Sequence, residues 1–523
     1  MKAVCVIVGL ALLATVSGCA TAPEAVGVAA EHPIQGFFAA ESESDEAAAI
    51  EALVASGIPA QEVAEMLRAG RSYDAEAPRG WIVHVMTCVD GVARPFHVFV
   101  PESYTADCPH PVLFDLHGAV VGPGYTVEEL APRRGLWQPV AAEQGMLLVM
   151  PHGDRAASWW SRTGHDNLLA QLAFLKRNYN VDENRVFLSG FSDGGSGALW
   201  MAFHDPTPWA GFISFMGTPV VAGLGPYPCY PRNLLSRPIR AVNGVYDTLY
   251  PASGIKPLVD QLLGLGVSLQ WTVYAIGHDL GFFPTERTFS EAFLRSIARR
   301  PLRSEVLWET ADAAVGRCDW VRVDEIGDVG NNAAFADVNM WFSGSGADFG
   351  VGIGPTVNEG LTVAGVVPGS LAHSAELRSG DVIGRVDGKE IRTTHDLRDV
   401  MQAVETGRAV TIEVVRDGEQ LVLTGRVPGP DAVYVHPLLT ASIHARAVGN
   451  VIDVDVRHVV RYTLLLSSMM LDFEEPLVVV TNGEETYRGP ITPDVRFLLE
   501  QSAADQDRRA VYEARIEIQV PPT

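Results

Sequence analysis

Hydrophobic positions change their period several times along the chain. Between residues 81 and 301, short apolar runs alternate with amphipathic stretches. Trp81–Met86 and Phe96–Val100 flank Asp90-Gly91, a tight hairpin signal. Further strands are predicted at Val112–Leu116, Met146–Met150, Val186–Leu188, Gly211–Met216, Ile239–Val242 and Leu269–Ala275. Helical spacing predicts helices over Val127–Gln144, Asn167–Asn178, Gly194–Phe203, Ala252–Leu265 and Glu286–Arg299. Strand and helix in alternation imply a mostly parallel sheet with helices on both faces.

The flanks have a different texture. Ile50, Leu53 and Val54, then Val63, Met66 and Leu67, recur at helical spacing, so residues 49–80 read as a helical lead-in with Gly70 as a C-cap. Residues 20–48, rich in Ala, Glu, Ser and Gly, read as a tether. Past Pro301 the chain turns strand-rich over 302–345. It does so again over 437–523, with Val451–Val456, Arg461–Ser467, Leu477–Thr481 and Arg515–Val520 as strands and Asn482-Gly483 as a hairpin turn. The two stretches are expected to form one β-sandwich, with residues 346–428 inserted as a separate unit.

The beginning of the chain reads as an export signal. Lys2 precedes an apolar run, Ala3–Thr15, too short to span a bilayer. Val16-Ser17-Gly18-Cys19 resembles the lipobox of bacterial lipoproteins. The resemblance implies loss of the preceding residues and acylation of Cys19, so that lipid alone holds the protein at the cell envelope. The bland alternative is an ordinary cleaved signal. No other stretch is apolar enough to span a membrane. Lys and Arg number 39 against 63 Asp and Glu, a net charge of −24, which argues against nucleic-acid partners. Outside the signal, Cys88, Cys108, Cys229 and Cys318 would be enough for two disulfides in an oxidising compartment, with three connectivities open. No Cys/His spacing suggests zinc, and neither a metal nor a cofactor is expected.

The sharpest chemical motif is Gly190-Phe191-Ser192-Asp193-Gly194, between a predicted strand and a predicted helix. A turn this tight needs very small flanking residues, and it exposes the serine oxygen above the sheet. A serine needs a base, and the base needs an orienting carboxylate. Asp247, past Ile239–Val242, and His278, past Leu269–Ala275, follow in the order this architecture uses. Both lie beyond strand C-termini, where open α/β sheets bind ligands. Oxyanion donors are expected at the backbone N–H of Asp193 and in the loop His117-Gly118-Ala119, with Ala119 as the donor and His117 as a structural residue. Trp159 and Trp160, after another strand, are candidates to line the substrate site.

His117-Gly118, the run Val181-Asp182-Glu183-Asn184-Arg185-Val186-Phe187-Leu188-Ser189-Gly190-Phe191-Ser192-Asp193-Gly194-Gly195 and Gly277-His278 resemble secreted α/β-hydrolase esterases, nearest the polyhydroxybutyrate depolymerase and feruloyl esterase group. The resemblance covers roughly residues 80–300. It implies an α/β-hydrolase catalytic domain over 81–301 that cleaves ester substrates, polymeric ones included, through an acyl-serine. Asp193 departs from the alanine common after the serine in that group. Residues 346–428 resemble the PDZ domains of bacterial envelope proteases, through Gly360-Leu361-Thr362-Val363, Pro368-Gly369-Ser370, Leu377-Arg378-Ser379-Gly380-Asp381-Val382-Ile383, Val386-Asp387-Gly388 and Arg416-Asp417-Gly418. That likeness implies docking of a peptide C-terminus as an added strand, with Gly350-Val351-Gly352-Ile353 as the carboxylate loop. Two other readings stay open: a serine peptidase of the prolyl-oligopeptidase type, and an inactive adaptor working through its PDZ unit.

Overall fold

The computed structural model describes residues 34–120, 136–223, 225–329, 335–342, 349–353, 360–366, 370–401, 404, 407–427, 431–434, 436 and 439–521. Cys19, the export signal and residues 20–33 lie outside the described residues, as does the 127–135 part of the expected helix Val127–Gln144.

The unit expected to be catalytic is built on one eight-stranded sheet. Its strands are β1 (Gly80–Thr87), β2 (Ala93–Val100), β3 (His110–Leu116), β4 (Leu147–Pro151), β5 (Val181–Phe191), β6 (Gly211–Phe215), β7 (Ile239–Gly244) and β8 (Leu269–Tyr274). They run in the order β1-β2-β4-β3-β5-β6-β7-β8. β1 and β2 form the antiparallel hairpin, β2 joins β4 antiparallel, and from β4 to β8 all neighbours are parallel. Alternate residues serve opposite faces. Val112, Phe114 and Leu116 of β3 join one core with Leu168, Leu172 and Leu175 of the helix Arg162–Asn178. Leu113 turns to the other core, with Val140 and Ala141 of Gln138–Gln144 and Phe293 and Leu294 of Phe283–Ser296. A strand covered on both faces has to be apolar throughout, which is why these runs do not alternate with polar residues.

Helices begin earlier than the tether reading allowed. Ile34–Ala39 and Glu43–Ala55 are helical, the latter capped by Ser42, whose side chain accepts from the Asp45 N–H. Ile34, Phe37, Ile50 and Leu53 bury against Leu498 and Leu499 of the distant helix Val495–Asp505. Apolar contact with a helix some 450 residues later, invisible to local composition, orders this segment.

Two sheets share the core beyond residue 302. One orders Arg317–Cys318, Val321–Ile326, Val459–Leu466 and Ala514–Gln519; the other orders Glu484–Gly489, Leu477–Thr481, Val451–Arg457, Ala441–Val448 and Glu305–Thr310. Strands from before and after the inserted unit therefore pair directly. The inserted unit has a six-stranded sheet, with the helices Leu371–Ser374 and Thr394–Met401 and its own core. Its two flanking strands, Met340–Phe342 and Asp431–Tyr434, pair antiparallel. There Tyr434 donates to the Pro219 carbonyl and, with Met340, joins the core of the catalytic unit.

Cys88, Cys108, Cys229 and Cys318 are all free thiols, so the two expected disulfides are absent. Cys229 lies in the catalytic core and Cys318 in the sandwich core, each packed as a small apolar residue. Burial pushes the Cys229 thiol above its usual range. No described helix is long and apolar enough to cross a membrane.

A half-buried ion triad joins two helices of the catalytic unit. His165 Nδ1 lies 2.9 Å from Asp166 Oδ1, and Nε2 lies 3.0 Å from Asp205 Oδ2, the C-cap of the helix Asp193–His204. Burial disfavours the imidazolium, but the two carboxylates outweigh it and raise the His165 pKa from 6.5 to about 9. Because the folded value exceeds the unfolded one, the stabilisation is complete below pH 6.5 and is lost as pH rises through about 9. His165→Gln should lower stability by about 2 kcal/mol at neutral pH. It should also flatten the decline between pH 6.5 and 9 that urea titration of the parent protein will show.

Candidate active site

The site starts from a steric constraint. β5 ends in a turn that feeds straight into the helix Asp193–His204. A Cβ on Gly190 would lie 2.2 Å from the Gly194 carbonyl carbon, and one on Gly194 would lie 2.0 Å from the Leu116 oxygen. Only glycine fits at either place. Ser192 between them is held at φ 58° and ψ −119°, a strained conformation for a residue with a side chain. Its N–H donates to the Phe215 carbonyl at 2.8 Å, which fixes the turn to β6.

The other two side chains come from the loops after β7 and β8, at the same sheet edge. Asp247, past β7, is fully buried. Its Oδ1 accepts from the N–H groups of Leu249 and Tyr250, each at 2.8 Å. Its Oδ2 faces His278 Nδ1 at 2.7 Å, and His278 Nε2 faces Ser192 Oγ at 2.8 Å. Gly244 lets the loops meet, since a Cβ there would lie 2.5 Å from the Ile276 oxygen. Burial raises the Asp247 pKa, but the bond from His278 and the two backbone donors outweigh it, so the carboxyl ends below its usual range. An ionised carboxylate fixes Nδ1 as the protonated nitrogen and leaves Nε2 free to accept from the hydroxyl. The rings of Phe191 and Tyr250 flank the imidazole, with centroids at 5.1 and 5.6 Å. The structure thus brings Ser192, Asp247 and His278 together as one hydrogen-bonded relay.

The loop after β3 closes the other side of the serine. A Cβ on Gly118 would lie 2.9 Å from Ser192 Cβ, so this loop passes directly over the nucleophile. Ala119 takes a left-handed φ of 57°. Val120 then donates its N–H to Asp193 Oδ2 at 2.9 Å. Asp193 is therefore more than a backbone position, because its carboxylate clamps the loop that carries Ala119. The clue in the sequence was its departure from the expected alanine. His117 is structural: Nε2 accepts from the Gly153 N–H at 3.0 Å, and Nδ1 lies 2.8 Å from the Gly118 oxygen.

Trp159 and Trp160 require correction. They are 2% and 8% exposed and belong to the core. Trp159 donates its indole N–H to the His117 oxygen at 2.8 Å and fills the space left by Gly153 and Gly197. It supports the site from beneath and does not line it. Sequence reasoning missed Tyr250, whose ring touches the imidazole, since nothing local distinguishes it from any loop tyrosine. In the inserted unit, Val351–Ile353 is the edge strand of its sheet, paired with Leu361–Val366. Gly350, at φ 72°, abuts Ser370, where a Cβ would clash at 2.1 Å. Among the described residues, no cluster of His, Cys, Asp and Glu could hold a metal ion.

Comparisons with known proteins agree with this division. Residues 91–221 match the Esterase family model, and residues 362–416 match that of the PDZ domain. The chain is 32% identical over 108 residues to the "Bifunctional acetylxylan esterase/xylanase XynS20E" of Neocallimastix patriciarum, covering 20% of this chain and 15% of that protein. It is 34% identical over 101 residues to the "Magnetosome formation protease MamE" of Paramagnetospirillum magneticum, covering 19% and 13%. It is 32% identical over 117 residues to the "Probable feruloyl esterase C" of Aspergillus flavus, covering 21% and 42%. The chain thus spans less than half the length of each of these relatives. It carries an α/β-hydrolase-fold esterase domain, a PDZ domain and a β-rich C-terminal unit.

The Asp193 clamp gives a specific expectation. Asp193→Ala should lower stability by about 1–3 kcal/mol, through loss of a charge-assisted bond to a buried N–H. It should also lower kcat at least tenfold by freeing the Ala119 loop. Asp193→Asn, which keeps an acceptor oxygen, should retain most of both in thermal melts and ester hydrolysis assays.

Proposed function

We propose that this protein is a serine carboxylesterase that acts on carboxylic esters through an acyl-serine intermediate. The observation that carries the reading is the continuous relay from Asp247 through His278 to Ser192, with 2.7 and 2.8 Å contacts. In the first half-reaction, Ser192 Oγ attacks the ester carbonyl carbon while His278 Nε2 takes its proton. The oxyanion is met by the N–H groups of Asp193 and Ala119. The imidazolium, steadied by Asp247, then gives its proton to the leaving alcohol oxygen as the C–O bond breaks. In the second half-reaction, water gives a proton to His278 and attacks the acyl carbon, which releases the acid and restores the serine.

Two relatives named for acetylxylan and feruloyl ester cleavage support an ester substrate, with plant-polymer esters as the first class to test. The same proposal assigns the PDZ unit a docking role. A peptide C-terminus would add to the edge strand Val351–Ile353, with its carboxylate at Gly350. It also places the protein at the cell envelope, held by lipid on Cys19.

Ser192→Ala should lower turnover of p-nitrophenyl acetate by at least about 10⁴ without altering the thermal melt. It should also abolish labelling by a fluorophosphonate. Retained turnover in that variant would refute the serine mechanism, and faster cleavage of a peptide anilide than of the ester by the parent protein would favour a peptidase.

A further inference from the structure

Of the two aromatic residues packed on the catalytic imidazole, Phe191 and Tyr250, only Tyr250 carries a polar group, and the mechanism leaves that group without a task. Its backbone is fixed, since the N–H is spent on Asp247 Oδ1 at 2.8 Å. Its ring meets the His278 ring edge-on, with centroids 5.6 Å apart and planes at 74°. Its hydroxyl has no hydrogen-bond partner among the described residues, nor is it sealed in the core, because the side chain is only partly buried. Among the buried phenols, Tyr462 meets Thr481 at 2.7 Å and Tyr230 meets Thr440 at 3.3 Å, whereas the Tyr512 hydroxyl is sealed in the core without a partner. An unspent donor beside a catalytic base is available to whatever enters the site.

The position of His278 says which part of a substrate that is. The leaving alcohol must have its oxygen beside Nε2 to receive the proton, so groups packed on this imidazole border the alcohol side of the ester. The electrostatic surroundings define the chemistry further. Burial raises the phenol pKa to about 12, with the carboxylates of Asp193 and Asp247 adding to the effect. The group stays protonated and acts as a neutral donor. Those two carboxylates also disfavour an anionic alcohol moiety.

The geometry points to Tyr250 as a specificity residue, its hydroxyl donating a hydrogen bond to a second oxygen on the leaving alcohol, so that esters of neutral polyhydroxylated alcohols are preferred over simple alkyl esters. This rests on the esterase reading and deepens it by naming the alcohol. Tyr250→Phe removes one oxygen and keeps the ring against His278. With the full-length protein, kcat/KM for glycerol monoacetate relative to ethyl acetate should fall about fivefold or more in this variant, the worth of one hydrogen bond. The change should appear chiefly in KM.

A ratio within twofold of the parent would overturn the assignment, whether both rates fall together or neither moves. Equal losses would mean that the ring only positions His278. Failure of the parent protein to hydrolyse either ester, with Ser192 unlabelled by a fluorophosphonate, would instead sink the esterase reading and this inference with it.

Discussion

The contact on which the site depends is a backbone one, the approach of Gly194 to the Leu116 carbonyl at the end of β3. It allows the helix Asp193–His204 to start directly against the sheet. Any side chain at 194 would push the helix away, and the turn holding Ser192 at φ 58° would relax. The relay tolerates little movement, since a shift of about 1 Å would break a hydrogen bond made at 2.8 Å. The strain at one residue is held in place by the surrounding packing. Trp159 fills the space beside Gly197 of the same helix, and His165 ties Asp205 at its far end.

Electrostatics at the site involve two buried carboxylates of different use. Asp247 accepts from the imidazole and from two backbone donors, so it is stabilised as an anion without opposing charge on the substrate. Asp193 stands beside the place where negative charge would develop, which by itself would be unfavourable. Two features offset this. The carboxylate sits in the first turn of a helix, at the positive end of its dipole, and it accepts from the Val120 N–H. The loop clamp therefore carries an electrostatic cost that an alanine at this position would avoid. In exchange the loop over Ser192 is fixed by a charge-assisted bond.

The triad was legible because each member lies just past a strand that its own local pattern announces, and chain order limits the choice of partners. Gly190 and Gly194 could be read for the same reason, as the turn's steric demand is local. What escaped depends on contacts between distant segments. The helices at Ile34–Ala39 and Glu43–Ala55 exist because Leu498 and Leu499 cover them. Trp159 looked like a site residue from its place after β4, yet its indole is consumed by His117 and by two glycines from separate elements. The four cysteines suggested bridges by count alone, whereas all four are free thiols, and Cys229 and Cys318 are buried in different cores as packing residues. Tyr250 is defined only by its neighbour His278, which lies 28 residues further on.

The insertion of the PDZ unit into the sandwich poses a topological problem that the structure solves locally. Strand pairing between Val321–Ile326 and Val459–Leu466 must be made across more than a hundred intervening residues. Closing such a loop carries an entropy penalty that grows with the logarithm of its length. Pairing Met340–Phe342 with Asp431–Tyr434 brings the two ends of the insertion together. Once that neck forms, the loop left for the sandwich to close is short on either side. Tyr434 then seats the neck in the catalytic core, against Phe203 of the nucleophile helix at 5.1 Å and the Pro219 carbonyl. The same residue that makes the insertion tolerable thus attaches it to the helix whose first turn presents Ser192.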